Sequence, residues 1–226
     1  MSVLEIVYGT FKEEIKNRFL CTVSIDGTDT VCYIPSSCRL SNFINLSNRM
    51  VMLQPIKKKN ARTKYSVYAV KYRRSYVPLN LSISNRVVEA EINRRYFSFL
   101  GKRKNVSREK IVDGYKSDLY IADTDTVIEV KSILSFDKNA VFPTVFSERA
   151  NRQLEDLLEL LTKGYRVCYM LVSMCSGVES IRINEEQEEY YNLFKACIDR
   201  GMVVSAIALG MKNNIPYVKS RVNVII

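Results

Sequence analysis

Short apolar runs separated by turn signals fill the first eighty residues, and this spacing most limits the fold that the chain can adopt. Asp26-Gly27 and the KKKNART segment between the runs are typical of hairpin turns and loops. Five short strands in this length predict a small barrel, for which an OB-fold is the natural candidate. The runs are FLCTVSI, TVCYIP, RMVMLQPI, YSVYAVKY and SYVPLNLS.

From Ser84 onward the apolar spacing changes to that of alternating helices and strands. The order of helix, three strands, helix, strand, helix and strand predicts a mixed α/β sheet with helices on both faces. We therefore expect a barrel over residues 1–83 and an α/β domain over residues 84–226. The helical runs are SNRVVEAEINRRYFSFLG, SERANRQLEDLLELLTKG and EEQEEYYNLFKACIDRG. The strand-like runs are EKIV, SDLYIA, TVIEVKSIL, YRVCYMLVSM and VVSAIAL.

Positive charge is concentrated in one acid-free stretch. The formal net charge is +10, and residues 30–88 contain no Asp or Glu but eleven Lys or Arg. Such a stretch favours a polyanionic partner, because neutralised phosphates release counterions. We predict that the partner is nucleic acid, either DNA or RNA, with an anionic membrane or no partner as the alternatives. The expected phosphate contacts are Arg39, Lys57, Lys58, Arg62, Lys64, Arg73 and Arg74.

Other features of the composition indicate the class and compartment of the protein. Apolar runs stay shorter than the roughly 18 residues typical of a membrane-spanning helix. The N-terminus lacks the pattern of a signal peptide, so we expect a cytoplasmic protein that does not enter a membrane. The six cysteines lack zinc-site spacing, and we expect buried thiols. The oligomeric state is left open.

The chain contains no histidine. This excludes Ser-His-Asp and Cys-His nucleophilic catalysis, histidine-based nucleases and histidine-ligated zinc. Hydrolytic chemistry would have to use carboxylates, lysine, hydroxyls or thiols. If a metal takes part, oxygen ligands favour Mg²⁺ or Mn²⁺.

Two acids and a lysine lie in GYKSDLYIADTDTVIEVKS, residues 114–132. Alternate side chains of a strand share a face, so Glu129 and Lys131 point the same way. Asp118 begins the preceding strand, and an antiparallel pair would bring the two carboxylates together around a divalent cation. Lys131 would orient water and offset charge that builds on the phosphorane. These residues predict a metal-dependent nuclease, with an ordinary cross-strand salt bridge of Lys131 as the alternative.

Several motifs follow one another along nearly the whole chain. They are NRFL, YIPSSCRL, ARTKYSVYAV, SNRVVEAEI, REKIVDGYKSDLYI, IEVKS and FPTVFSERANRQLEDL. Together they resemble the sugar fermentation stimulation protein A family. The resemblance implies an N-terminal OB-like barrel followed by a restriction-endonuclease-like, PD-(D/E)xK domain of αβββαβ order. It also implies DNA binding, nuclease activity and a role once proposed in regulating sugar genes.

The family's motifs also imply roles for individual residues. Asp118 falls on the metal-binding aspartate, Glu129 on the second acid and Lys131 on the lysine of the motif. Glu109 falls on an upstream glutamate that ligates a second metal or steers the lysine, with an ordinary surface charge as the alternative. Arg149 and Gln153 lie four apart on one helix stripe, from which they would reach substrate phosphate or the bound water.

Three segments depart from the family's pattern. The family's His-Val-Pro-Asn-Thr-Gly is here residues 33–38, and its Phe-Pro-Asp-Ala is here residues 142–145, which loses a carboxylate. Gln153 stands in place of a histidine. The acids and lysine of the core are intact, so the sequence predicts an Mg²⁺- or Mn²⁺-dependent phosphodiester hydrolase. The alternatives are a non-catalytic DNA-binding regulator on the same scaffold and a structural or interaction protein.

Overall fold

The computed structural model describes residues 5–15, 19–35 and 39–226. These residues form a six-stranded sheet, an eight-stranded sheet, a two-stranded hairpin and three α-helices. The first sheet is built from the N-terminal third of the chain. Its strands are β1 (Val7–Glu14), β2 (Leu20–Ile25), β3 (Thr28–Tyr33), β4 (Met50–Pro55), β5 (Tyr65–Tyr72) and β6 (Ser75–Pro78).

The first sheet closes into a barrel. Its strand order is β3-β2-β1-β4-β5-β6, and Tyr33 of β3 returns to pair with Ser66 of β5. Five strands therefore form the closed part, and β6 extends the sheet from β5. All five predicted runs are strands, and the predicted OB-type barrel is confirmed.

Strand β1 lies in the middle of this sheet, although the sequence pattern did not predict it. A Cβ atom at Gly9 would lie 2.6 Å from Cγ1 of Val23 and 2.9 Å from the carbonyl oxygen of Ser24. Glycine thus permits a close approach of β1 and β2, as glycines in strand interiors often do. The glycine also interrupts the alternation by which a strand is normally recognised.

The second sheet and its helices are built from the rest of the chain. The strands are β7 (Val106–Arg108), β8 (Ile111–Val112), β9 (Tyr115–Lys116), β10 (Leu119–Ile121), β11 (Thr126–Ile133), β12 (Asn139–Phe142), β13 (Arg166–Ser173), β14 (Ser180–Ile183), β15 (Val203–Lys212) and β16 (Ile215–Ile225). The helices are α1 (Ile83–Glu91), α2 (Glu148–Thr162) and α3 (Glu188–Asp199). The sheet order is β12-β14-β16-β15-β13-β11-β10-β7, while β8 and β9 form the separate hairpin.

Helices α1 and α2 pack on opposite faces of the second sheet. Neighbouring side chains of a strand point to opposite faces, so Lys131 and Ser132 of β11 mark the two sides. The hydroxyl of Ser132 lies 2.6 Å from the hydroxyl of Ser84 in α1. The ammonium of Lys131 donates to Gln153 of α2 at 2.6 Å. The prediction of a mixed sheet with helices on both faces is confirmed.

Two details of the predicted element order are wrong. The helix predicted from Ser84 to Gly101 ends at Glu91 and gives way to a 3-10 turn over Arg95–Leu100. The EKIV run contributes only β8, which pairs with β9, and the edge strand of the large sheet is β7 instead. Short strands of two or three residues leave too little sequence for periodicity to distinguish them.

Besides β7, three strands of the large sheet were not predicted: β12, β14 and β16. Strands β12 and β14 pair in parallel at one edge, and β14 pairs in parallel with the end of β16. Strand β16 alternates exposed and buried residues through much of its length. Its segment KSRVN is mostly polar, so the sequence pattern did not reveal a strand that is half exposed to solvent.

Two further predictions concern the burial of the cysteine thiols and the absence of membrane-spanning helices. Cys21, Cys32, Cys168, Cys175 and Cys197 are buried free thiols, as predicted, whereas Cys38 lies outside the described residues. Within the described parts of the chain, the helices are too short or too polar to cross a membrane. The hydrophobic core is continuous between the barrel and the large sheet. The boundary at residue 83 stays a prediction.

One aromatic stack joins the barrel to the large sheet. The ring of Tyr72, at the end of β5, stacks on Phe136 with centroids 4.0 Å apart and an interplanar angle of 5°. The Tyr72 hydroxyl also donates to the carbonyl oxygen of Phe136 at 3.0 Å. The guanidinium of Arg49 lies 5.0 Å from the centre of the Phe136 ring. This cluster fixes the end of β5 against the segment that follows β11.

We predict that Phe136→Ala lowers the free energy of unfolding by about 1–3 kcal/mol, because it removes a ring stack and half-buried apolar area. The urea concentration at the unfolding midpoint measures the change. Phe146→Ala is the matched control, because the side chain of Phe146 is 63% exposed. Equal midpoints for the two variants would contradict the role assigned to the stack.

Candidate functional site

Strand β11 places Glu129 and Lys131 on one face of the sheet. The ammonium of Lys131 lies 2.7 Å from Oε1 of Glu129. The apolar residues around them, Val127, Ile128, Val130 and Ile133, are β-branched and buried, which suits a central strand. The strand period therefore brings the predicted acid and lysine into direct contact.

The carboxylate of Glu129 is buried, with only 3% of the residue exposed. Its Oε2 accepts a hydrogen bond from the hydroxyl of Tyr115 at 2.5 Å. Its Oε1 accepts from Nε2 of Gln153 at 3.0 Å, in addition to the contact with Lys131. A buried charge needs such partners, because an unpaired one costs several kcal/mol. Three elements of the fold therefore meet at one carboxylate.

Tyr115 is held as a neutral donor. Burial raises the pKa of its hydroxyl, and the negative charge of Glu129 together with their hydrogen bond raises that pKa further. The ring is buried in the β8–β9 hairpin. The hydroxyl therefore stays protonated at neutral pH and donates a hydrogen bond to Glu129.

Asp118 lies directly before β10, next to Glu129. Its Oδ1 accepts from Nδ2 of Asn85 in α1 at 2.8 Å, and its Oδ2 accepts from the backbone N–H of Val130 at 2.8 Å. Burial raises the pKa of Asp118, and the charge of Glu129 adds to the rise, while the donors at Val130 and Asn85 and the charge of Lys131 oppose it. The repulsion between the two carboxylates is what a cation would relieve.

Helix α2 contributes Gln153 and Arg149. The helix begins after Ser147, whose hydroxyl accepts from the backbone N–H of Ala150 at 3.3 Å, an N-cap bond. Arg149, in the first turn, is exposed, and Gln153 follows one turn later. Both line the same cleft as Asp118, Glu129 and Lys131. The predicted helix stripe is thus part of this site.

The cleft has a volume of about 520 Å³ and two chemically different ends. The acids, Lys131, Gln153 and Arg149 form the polar end. The other end is mainly apolar, and its wall includes Phe43 from the barrel. Thr144 lines the cleft where the family has an aspartate, and it follows the cis peptide bond between Phe142 and Pro143.

Glu109 does not share this cleft. Its side chain is 72% exposed and pairs with Lys116 at 2.7 Å. The hydrogen bond and charge of Lys116 lower the pKa of Glu109. Only its backbone approaches the site, where its N–H donates to the carbonyl oxygen of Asp118 at 3.2 Å. Its predicted catalytic role stays a prediction without support from side-chain geometry.

Six of the seven predicted phosphate contacts fall into two groups at the ends of β5. Arg73 and Arg74 follow the last residue of β5, at the end of the strand that lies near Phe136. The residues on either side of Phe136 in the chain line the cleft. The eight residues of β5 separate the groups by roughly 25 Å at about 3.3 Å per residue. Arg39 precedes the turn Leu40–Asn42, which reaches the cleft. The loop before β5 carries Lys57, Lys58, Arg62 and Lys64.

The donor set fits a hard divalent cation. Among the described residues, no cluster of three or more Asp, Glu, Cys or His side chains is placed to hold a metal. Asp118 and Glu129 together supply two carboxylates. Mg²⁺ is usually bound by one or two carboxylates and keeps several waters, so two carboxylates can be enough protein ligands for a divalent cation.

Sequence reasoning missed three residues that shape the site. Tyr115 and Asn85 each bind one of the two acids, and Phe43 forms part of the cleft wall. Tyr115 and Asn85 lie inside the GYKSD and SNRVVEAE motifs, so their motif positions were a usable signal. Phe43 lies more than seventy residues before the acids, and no local pattern links it to them.

Comparisons with known proteins agree with this architecture. The model of the sugar fermentation stimulation protein RE domain matches residues 82–214, and that of the SfsA N-terminal OB domain matches residues 15–79. A sugar fermentation stimulation protein homolog of Caldanaerobacter subterraneus subsp. tengcongensis is 26% identical over 226 residues, covering 98% of this chain and 97% of that protein. The homolog of Sulfolobus acidocaldarius is 27% identical over 212 residues, covering 92% and 88%.

A solved structure has the same fold. The structure of Pyrococcus furiosus SfsA in complex with Ca²⁺ superposes with a TM-score of 0.84 at 19% sequence identity. The match covers 100% of this chain and 98% of that one. The likeness therefore extends over both the barrel and the large sheet.

We predict that Lys131→Met destabilises the fold by about 3 kcal/mol, because it leaves the buried carboxylate of Glu129 without its cation. Chemical unfolding at neutral pH measures the loss, and Lys131→Met/Glu129→Gln should recover most of it. Lys138→Met is the matched control, because Lys138 and Glu179 are also 2.7 Å apart. The side chains of Lys138 and Glu179 are 60% and 64% exposed, whereas those of Lys131 and Glu129 are 16% and 4% exposed. The control should lose at most about 1 kcal/mol. Similar losses in both single variants would refute the special status of the buried pair.

Proposed function

Since the chain belongs to the sugar fermentation stimulation protein family, with its OB and restriction-endonuclease-like domains, we propose that it hydrolyses phosphodiester bonds of nucleic acid with Mg²⁺ or Mn²⁺. One observation carries this proposal. Asp118, Glu129, Lys131 and Gln153 share a cleft, in which the lysine contacts both Glu129 and Gln153. An ordinary salt bridge would need neither a second recessed acid nor an open cleft beside it.

A divalent cation is the natural ligand of Asp118 and Glu129. The Pyrococcus furiosus SfsA structure is a complex with Ca²⁺, and the two carboxylates support a similar cation here. Bound between them, the cation would polarise the phosphate and lower the pKa of a bound water. The donors at Val130 and Asn85 keep the Asp118 carboxylate aimed at this position.

Lys131 supplies positive charge at the reacting phosphate. Its contacts with Glu129 and Gln153 use two of the three ammonium protons and hold the side chain in one place. A fixed charge beside the phosphate stabilises the negative charge that develops in the transition state. Tyr115 takes no part in the hydrolysis. Its hydroxyl keeps Glu129 oriented by binding the carboxylate oxygen that Lys131 does not contact.

Arg149 and the basic residues of the barrel position the substrate. Arg149 is exposed in the cleft and reaches a phosphate next to the reacting one. Arg73 and Arg74 would add phosphate contacts on the barrel, at the end of β5 that contacts Phe136. The substrate is thus DNA or RNA bound across both halves of the molecule.

We predict that wild type cleaves labelled single- or double-stranded DNA or RNA with Mg²⁺ or Mn²⁺ and stops when EDTA is added. Asp118→Asn should abolish cleavage but leave nucleic-acid affinity unchanged or slightly higher, because a negative charge near the phosphate is gone. Asp137→Asn, which removes another carboxylate of the same cleft, is the matched control and should cleave normally.

Thermal unfolding supplies a readout that does not depend on turnover. Mn²⁺ should raise the melting temperature of wild type, because a ligand that binds only the folded state stabilises it. The same addition should have little effect on Asp118→Asn. Failure of wild type to cleave any substrate with either metal, or normal cleavage by Asp118→Asn, would favour the non-catalytic DNA-binding regulator.

A separate prediction concerns nucleic-acid binding by the barrel. Arg73→Ala/Arg74→Ala should weaken binding and reduce the slope of log affinity against log salt by up to about two. Binding with fewer phosphate contacts releases fewer counterions. Lys195→Ala/Arg200→Ala removes the same charge from the end of α3 and should leave the slope close to that of wild type. An unchanged slope in the first variant would place the binding surface elsewhere.

A further inference from the structure

The cleft continues past the acids and the lysine into an end of different chemistry. Six apolar side chains line the cleft there, beside the polar Asn42, Ser135, Asp137, Asn139 and Thr144: Phe43, Leu134, Val141, Phe142, Pro143 and Val145. We propose that this apolar end seats an unpaired nucleobase of the strand whose phosphate reaches Asp118 and Glu129. The inference rests on the proposed function and names its substrate class: nucleic acid that is single-stranded or locally opened.

The size of the cleft supports an occupant larger than a phosphate. Its volume of about 520 Å³ lies within the range of about 300–1,000 Å³ seen for pockets that hold drug-sized molecules. A phosphate group and a cation would fill only the polar end. The remaining space suits a nucleoside joined to that phosphate.

The depth of the acids supports an unpaired strand. Glu129 is buried and Asp118 is partly buried, so the reacting phosphate has to enter the cleft. A phosphate of a closed duplex carries stacked neighbours and an opposite strand with it. A single strand rotates freely about its backbone, and enzymes that act at recessed sites use single strands or flip a nucleotide out of the duplex.

The aromatic walls are held in place by the surrounding structure. Both carboxylate oxygens of Glu14 in β1 accept backbone bonds, from Leu40 and Ser41, at 2.8 Å each. The N–H of Phe43 donates to the carbonyl oxygen of Leu40 at 2.9 Å, which ends this turn at the cleft. On the other wall, Phe142 meets the ring of Tyr190 edge-on with centroids 6.0 Å apart. Fixed rings of this kind stack on any base.

Charge complementarity distinguishes a nucleobase from other apolar occupants. Arg149 and Lys131 line the same cleft as these apolar side chains, as does the carboxylate of Asp137, and the chain carries a net charge of +10. An occupant that matches both ends must be apolar and flat at one end and anionic at the other. A nucleotide within a strand has this chemistry, whereas an apolar peptide matches only one end.

Binding of two short oligomers of equal charge tests the proposal. One is a five-residue oligothymidylate, and the other is a five-residue abasic deoxyribose phosphate chain, each measured by fluorescence anisotropy with Ca²⁺ present. The electrostatic contribution is the same for both, so any preference reports the bases. Wild type should prefer the thymidylate by about 5- to 150-fold, the factor that corresponds to about 1–3 kcal/mol of stacking.

Two substitutions in the cleft should reduce this preference several-fold: Phe43→Ala and Val145→Ser. Val145 is exposed, so its substitution leaves the core intact even where Phe43→Ala disturbs the turn. Phe99→Ala is the control, because Phe99 is also half-buried but lies near Thr126 and Arg166, where β11 and β13 begin. It should keep the preference of wild type.

Equal affinity of wild type for the two oligomers would overturn the proposal. A full preference for the thymidylate in both cleft variants would also overturn it, because the bases would then be bound elsewhere, for example on the barrel. These measurements need no cleavage. Loss of the proposed function, seen as absence of turnover with Mg²⁺ or Mn²⁺, is therefore distinguishable from loss of base recognition.

Discussion

The buried carboxylate of Glu129 is the constraint on which the arrangement of the site depends. A charge in the middle of a sheet is tolerated only when the surrounding structure supplies donors. Here they come from the β8–β9 hairpin through Tyr115, from β11 through Lys131 and from α2 through Gln153. The requirement to satisfy one acid therefore fixes the relative positions of three elements. The cleft is the space that remains beside them.

Asp118 differs from Glu129 in how its charge is balanced. It is bound by the neutral donors of Asn85 and Val130, and its pKa is raised by burial and by the neighbouring acid. One acid of the pair is thus neutralised within the protein, while the other is left with repulsion that a cation removes. This division would give the two carboxylates different parts in binding the cation that we propose.

Much of the fold and part of the site were predictable from the sequence. The period of TVIEVKSIL places Glu129 and Lys131 together, and helical spacing places Gln153 on the same side as Arg149. Strand β1 was missed because Gly9 replaces an apolar side chain where two strands approach closely. Contacts between distant segments, such as Phe43 with the cleft, depend on tertiary packing that local periodicity does not encode. Glu109 shows the reverse case, since its motif position was clear but its side chain pairs with Lys116 at the surface.

The turn anchored by Glu14 makes the barrel a structural part of the half that holds the cleft. A single carboxylate on β1 holds the backbone that carries Phe43 to the cleft. Exchanging barrels between relatives would therefore alter the shape of the cleft. The two halves are expected to change together in evolution, and a chimera should inherit the substrate preference of neither parent unless the turn and its anchoring acid are transferred with the large sheet.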